Sequence, residues 1–70
     1  MAAKRKEYRR ENVIVRAPVA EYGHDGRLRF VAVVSIYVSP AVGWVVEGEY
    51  VAFTREDATE KARARQAVLS

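Results

Sequence analysis

Residues 28–38 read LRFVAVVSIYV, and this run decides the fold. It is rich in Val, Ile, Phe and Tyr and its side chains alternate in character, which marks a central strand rather than a buried helix. Leu28, Phe30, Ala32, Val34, Ile36 and Val38 make one side wholly apolar. Arg29, Val31, Val33, Ser35 and Tyr37 mix apolar, aromatic and basic groups on the other, because successive strand side chains point to opposite faces. The first side is a core, and the second needs a cover or a partner.

Upstream, residues 12–20 (NVIVRAPVA) also have strand period, with Val13, Val15, Ala17 and Val19 on one side and Ile14, Arg16, Pro18 and Ala20 on the other. Pro18 cannot donate to a ladder, so this is predicted to be an edge strand. Asp25-Gly26 between the two runs predicts a two-residue type I′ turn, with positive φ at both central positions. Such a turn sets Val19, Ala17, Val15 and Val13 opposite Ala32, Val34, Ile36 and Val38. It builds the second face from Tyr22 beside Arg29, Ala20 beside Val31, Pro18 beside Val33, Arg16 beside Ser35 and Ile14 beside Tyr37.

Downstream, Ser39-Pro40-Ala41 and Gly43 break the central strand. In residues 43–53 (GWVVEGEYVAF), Gly48-Glu49 fits a type II′ turn that pairs Val46 with Val51 and Trp44 with Phe53; a single bulged strand is the alternative. Thr54 is placed to cap a helix near Arg55 to Leu69, with Phe53 before it as half of a hydrophobic staple. Glu56, Asp57 and Glu60 precede Lys61, Arg63 and Arg65, matching the helix dipole. Ala58, Ala62 and Leu69 share a face, edged by Ala64 and Val68, and form a small-residue stripe suited to close approach to a sheet. Arg65 projects near that stripe and must either extend its guanidinium to solvent or meet a carboxylate such as Glu21 or Glu47. The predicted class is α+β: a small antiparallel β-meander of three to four strands with one C-terminal helix packed on one face.

Seventy residues allow one domain, read as 12–70, preceded by a flexible basic arm over 1–11. A chain this short buries only about 60% of its unfolded surface, so its stability is marginal without a supplement. With no cysteine there is neither a disulfide nor a thiolate metal site, which leaves oligomerisation as that supplement and suits a reducing cytoplasm. No apolar run reaches the roughly 18 residues a membrane span needs, and no h-region of a secretory signal follows the charged start.

The net charge of +3 is unevenly placed. Residues 1–11 hold five basic residues (Lys4, Arg5, Lys6, Arg9, Arg10) against Glu7 and Glu11, whereas residues 12–70 balance at seven of each sign. The arm can contact phosphate without reading sequence, but the body carries no net attraction for it. Catalytic chemistry is not indicated. His24 sits at a turn tip that offers solvent rather than an orienting partner, and Glu47 with Glu49 lacks the further oxygen ligands a hard cation requires. No phosphate loop, nucleophile elbow or metal-ligand spacing is present, so no enzyme, metal or cofactor is expected.

A small antiparallel sheet followed by a helix, a basic N-terminal arm, and the strand-to-helix step Phe53-Thr54-x-x-x-Ala58 resemble the arm-type DNA-binding domains of phage and transposon integrases. The resemblance implies a sheet laid in the major groove of DNA, although here Val31 and Val33 would occupy the centre of the reading face.

Two functional expectations follow. The first is a small non-enzymatic interaction protein, of the size of phage or plasmid regulators and inhibitors. It would bind another protein and act as a homodimer through the sheet face or an edge strand, with Ile14, Val31, Val33, Tyr37 and Tyr22 at the interface. The second is a DNA- or RNA-binding module that uses Lys4, Arg5, Lys6, Arg9, Arg10, Arg16 and Arg29.

Overall fold

The computed structural model describes residues 8–70. The basic residues Lys4, Arg5 and Lys6 lie outside that range. A turn of 3₁₀ helix (Arg10–Asn12) leads into β1 (Val13–Val15) and β2 (Val19–Tyr22). The long central strand β3 (Leu28–Ser39), β4 (Gly43–Ala52) and the helix α1 (Arg55–Leu69) follow. All strand pairs are antiparallel, so the chain is an α+β fold with a four-stranded sheet and one C-terminal helix.

β3 organises the sheet, as its sequence demands. β4 pairs with Phe30 to Ser39 along one of its edges. β1, opposite Val34 to Ile36, and β2, opposite Leu28 to Val31, therefore share the other edge end to end. Between them the chain breaks at Arg16-Ala17-Pro18, where proline cannot supply a ladder donor.

The first turn differs from the sequence expectation. Gly26 alone has positive φ (78°); Asp25 does not, so the turn is not type I′. The amide of Gly26 bonds to the carbonyl of Gly23, and the amide of Gly23 to the carbonyl of Arg27, each at 3.0 Å. That is a three-residue loop with a left-handed glycine, the second commonest hairpin device. The carboxylate of Asp25 accepts from the amide of Arg27 (3.0 Å), a bond that lowers its pKa and stabilises the loop from within. The longer loop moves β2 by one residue: Val19 lies opposite Val31 and Tyr22 opposite Leu28, not Ala32 and Arg29. The break at Pro18 shifts β1 by one more, to Val13 opposite Ile36, and a two-residue total returns Val13 and Val15 to their expected side.

The second expected hairpin is absent. β4 is one strand, and its register slips between Val34 and Ser35 of β3, so that Glu47 is an extra, bulged residue. Gly48 serves close approach instead of a turn. A Cβ there would come within 2.9 Å of the Tyr50 hydroxyl, and its absence lets that ring cross to donate to Glu47 Oε2 (3.1 Å). Neither Val46–Val51 nor Trp44–Phe53 is a pair; Val46 faces Ser35 and Trp44 faces Tyr37.

α1 covers the Leu28–Val38 side. Its start is as expected: Thr54 Oγ1 accepts from the amide of Asp57 at 3.1 Å. Ala58 and Ala62, fully buried, and Leu69 pack on Val13, Ala32, Val34, Ile36 and Ala52. Small side chains bring the helix close to the sheet, and polar groups hold its ends and flanks. Arg65 meets Glu47 at 2.7 Å, Gln66 Nε2 donates to the carbonyl of Val13 (2.9 Å), and Lys61 Nζ donates to the carbonyl of Val51 (2.9 Å). At 1.5 Å per residue the helix spans about 22 Å, whereas twelve strand residues extend about 40 Å. The ends of β3 at Leu28 and Val38 accordingly remain exposed.

Tyr8 also belongs to the folded unit. Its ring packs on the core and its amide bonds to the carbonyl of Leu69 (3.2 Å).

Candidate interaction surface

The opposite face of the sheet has no layer over it among the described residues, and the strand registers lay it out in three columns. β3 contributes Arg29, Val31, Val33, Ser35 and Tyr37 down the middle. On one flank stand Glu21 beside Arg29, Val19 beside Val31, Arg16 near Val33 and Ile14 beside Ser35. On the other stand Val51 beside Val31, Glu49 beside Val33, Val46 beside Ser35 and Trp44 beside Tyr37.

The middle column is shielded by its neighbours: Val31 and Ser35 are buried, and Val33 and Tyr37 half-buried. The flanks carry the exposed apolar surface, with Val19 66%, Val46 62%, Trp44 44% and Val51 41% accessible. Such a cluster on a 70-residue protein exceeds the scattered single exposures that are ordinary on a protein surface. Tyr37 and Trp44 stack edge to face across the strands, with centroids 5.6 Å apart, and fix the aromatic end of the face.

Of the residues singled out for an interface, Ile14, Val31, Val33 and Tyr37 stand together on this face. Tyr22 does not. The one-residue shift of β2 puts it on the helix side, beyond the end of the helix and exposed. The same shift brings in Val19, which the sequence had assigned to the core. Trp44, Val46 and Val51 were missed because the supposed turn at Gly48 hid the long alternation of β4. Only the unbroken apolar and aromatic period on either side of Glu47 hinted at it.

The basic residues are less concentrated. Arg9 and Arg10 are exposed near the 3₁₀ turn, Arg9 at 4.0 Å from Glu11. Arg16 Nε donates to Ser35 Oγ (3.3 Å) on the open face. The guanidinium of Arg29 lies against Gly23 and pairs with Asp25 at 3.2 Å, so its charge is answered inside the turn. At the same end Arg27 stacks 4.4 Å over Phe53. With Glu21 and Glu49 beside Arg16 and Arg29, the open face has no excess of positive charge. Among the described residues no three His, Asp or Glu side chains gather as a metal site would require, and no helix is long and apolar enough to cross a membrane.

Compared with family models, with curated proteins and with solved structures, the chain gives no match. The functional reading rests on the geometry alone.

Proposed function

We propose that this chain is a small non-enzymatic interaction protein that works by laying its open sheet face against another polypeptide. One observation carries the reading: Val19, Trp44, Val46 and Val51 stand exposed around a half-buried Val33 on a face that no described element covers. Burying an aliphatic side chain gains roughly 1.5–3 kcal/mol, so covering this surface stabilises a fold whose own core is small. The balanced charges of the face favour a protein partner over nucleic acid, whose phosphates require a basic surface.

A photo-crosslinking residue at Val46, with the same probe at Arg63 on the exposed side of α1 as control, tests this in cells that make the protein. The expected result is a polypeptide adduct from position 46 and none from position 63. Nucleic-acid adducts from position 46, or none at all, would overturn the reading.

A further inference from the structure

We infer that the polypeptide seated on this face is a second copy of the chain, related by a two-fold axis that runs parallel to β3 and passes over Val33. The inference rests on the reading of the open face as a contact surface and adds the occupant. Its basis is a charge pattern that a copy answers and a random partner does not.

Arg16 and Glu49 flank Val33 on opposite sides, in the strands that border β3. They do not pair with each other: Arg16 turns to Ser35, and Glu49 has no ion-pair partner among the described residues. When two sheets pack face to face, a two-fold parallel to the strands exchanges left and right columns and keeps each row level. Arg16 then faces Glu49 of the second copy, and Glu49 faces its Arg16, with Val33 against Val33 between them. In the adjoining rows Val19 faces Val51 of the second copy, and Ile14 faces its Val46, so apolar meets apolar on both sides of the charged row.

The other face-to-face two-fold, perpendicular to the strands, does the reverse. It sets Arg16 against Arg16 and Glu49 against Glu49, which costs the like-charge repulsion that discriminates against wrong pairings. The favoured arrangement runs both copies of β3 the same way, the aligned packing usual for stacked sheets. The face is about 15 Å across and about 27 Å along the strands, so the pair buries on the order of 1,000 Å² in all. That is the lower bound for a specific interface and describes a weak, concentration-dependent dimer.

The experiment is charge exchange read by sedimentation equilibrium, with thermal melts to establish that each variant is folded. Arg16→Glu and Glu49→Arg should each weaken self-association about tenfold, since each puts like charges together twice. The double variant should recover wild-type association, and an equimolar mixture of the two single variants should associate as a mixed dimer. Cysteine pairs fix the axis in a chain that has no cysteine of its own. Val19→Cys with Val51→Cys should oxidise to a covalent dimer, whereas Val19→Cys with Ile14→Cys should not. A dimer indifferent to the charge exchange, or cross-linked only by the second cysteine pair, would overturn this arrangement while leaving the face as an interface. A monomer at every concentration that still cross-links to a different protein through position 46 would overturn the second copy and spare the reading beneath it. A monomer without adducts would sink both.

Discussion

β3 presents Ala32, Val34 and Ile36 to the helix on one side and Val31, Val33 and Ser35 to an open face on the other. Both sides have the β-branched content of a sheet interior, and the difference lies in what flanks them. On the helix side, Val13, Ala52 and an alanine stripe close the layer, and a bulge at Glu47 turns a carboxylate toward Arg65 and Tyr50. On the open side the flanking strands supply large exposed valines and a tryptophan instead. A sheet with one helix has one finished face, and the sequence spends apolar residues on both.

The two sides should differ most when the same charge is put on each. Val34→Asp, at a fully buried position, strands a carboxylate in the core and should cost at least about 3 kcal/mol, enough to unfold a domain of this size. Val46→Asp, at an exposed one, should shift the melting free energy by no more than about 0.5 kcal/mol while abolishing association. Equal losses from the two, measured by denaturant titration, would mean that the open face is part of the monomer's own core.

A smaller effect concerns how the helix is held on its side. Thr54→Ala removes the oxygen that caps Asp57 and should cost about 1 kcal/mol in the same titration, without altering association. Gly48→Ala should also be felt on this side alone. Its Cβ would push into the Tyr50 hydroxyl and ring, loosening the Tyr50–Glu47–Arg65 chain and lowering the melting temperature of wild type but not of Tyr50→Ala, which lacks both.

The smallest expected effect is a pH dependence confined to the helix side. Burial first, and then the hydrogen bond to Glu47, raise the Tyr50 hydroxyl above its ordinary value of 10. A pKa raised in the folded state gives a contribution that is complete below the ordinary phenol range and is lost as pH rises through the native value. Wild type should thus lose stability more steeply than Tyr50→Phe in alkaline melts, and parallel curves would show that the hydroxyl's environment does not change on unfolding.

Much of this architecture was legible from residue pattern. The period of residues 28–38 marked β3 and its finished side, and Thr54 with the alanine stripe marked α1 and the face it buries. What the pattern could not supply was register. Asp25-Gly26 is compatible with both a two-residue and a three-residue loop, and the choice between them moves Val19 and Tyr22 to opposite faces. Gly48 was equally ambiguous, since a glycine in a strand signals a turn, a bulge or a close ring, and only the position of Tyr50 decides. The open face was readable in its centre, at Val31 and Val33, but its exposed flanks depend on strands whose alignment is a tertiary property.

Sedimentation velocity of the wild-type protein from micromolar to millimolar concentration, run beside Val46→Asp, tests the pairing of two copies through the open face most directly. The wild-type species should move from the 7.9 kDa monomer toward twice that mass as concentration rises. Val46→Asp should stay monomeric, with the melting temperature that wild type has at concentrations where it too is a monomer. A wild-type protein that remains a 7.9 kDa monomer throughout, indistinguishable from Val46→Asp, would contradict the pairing of two copies.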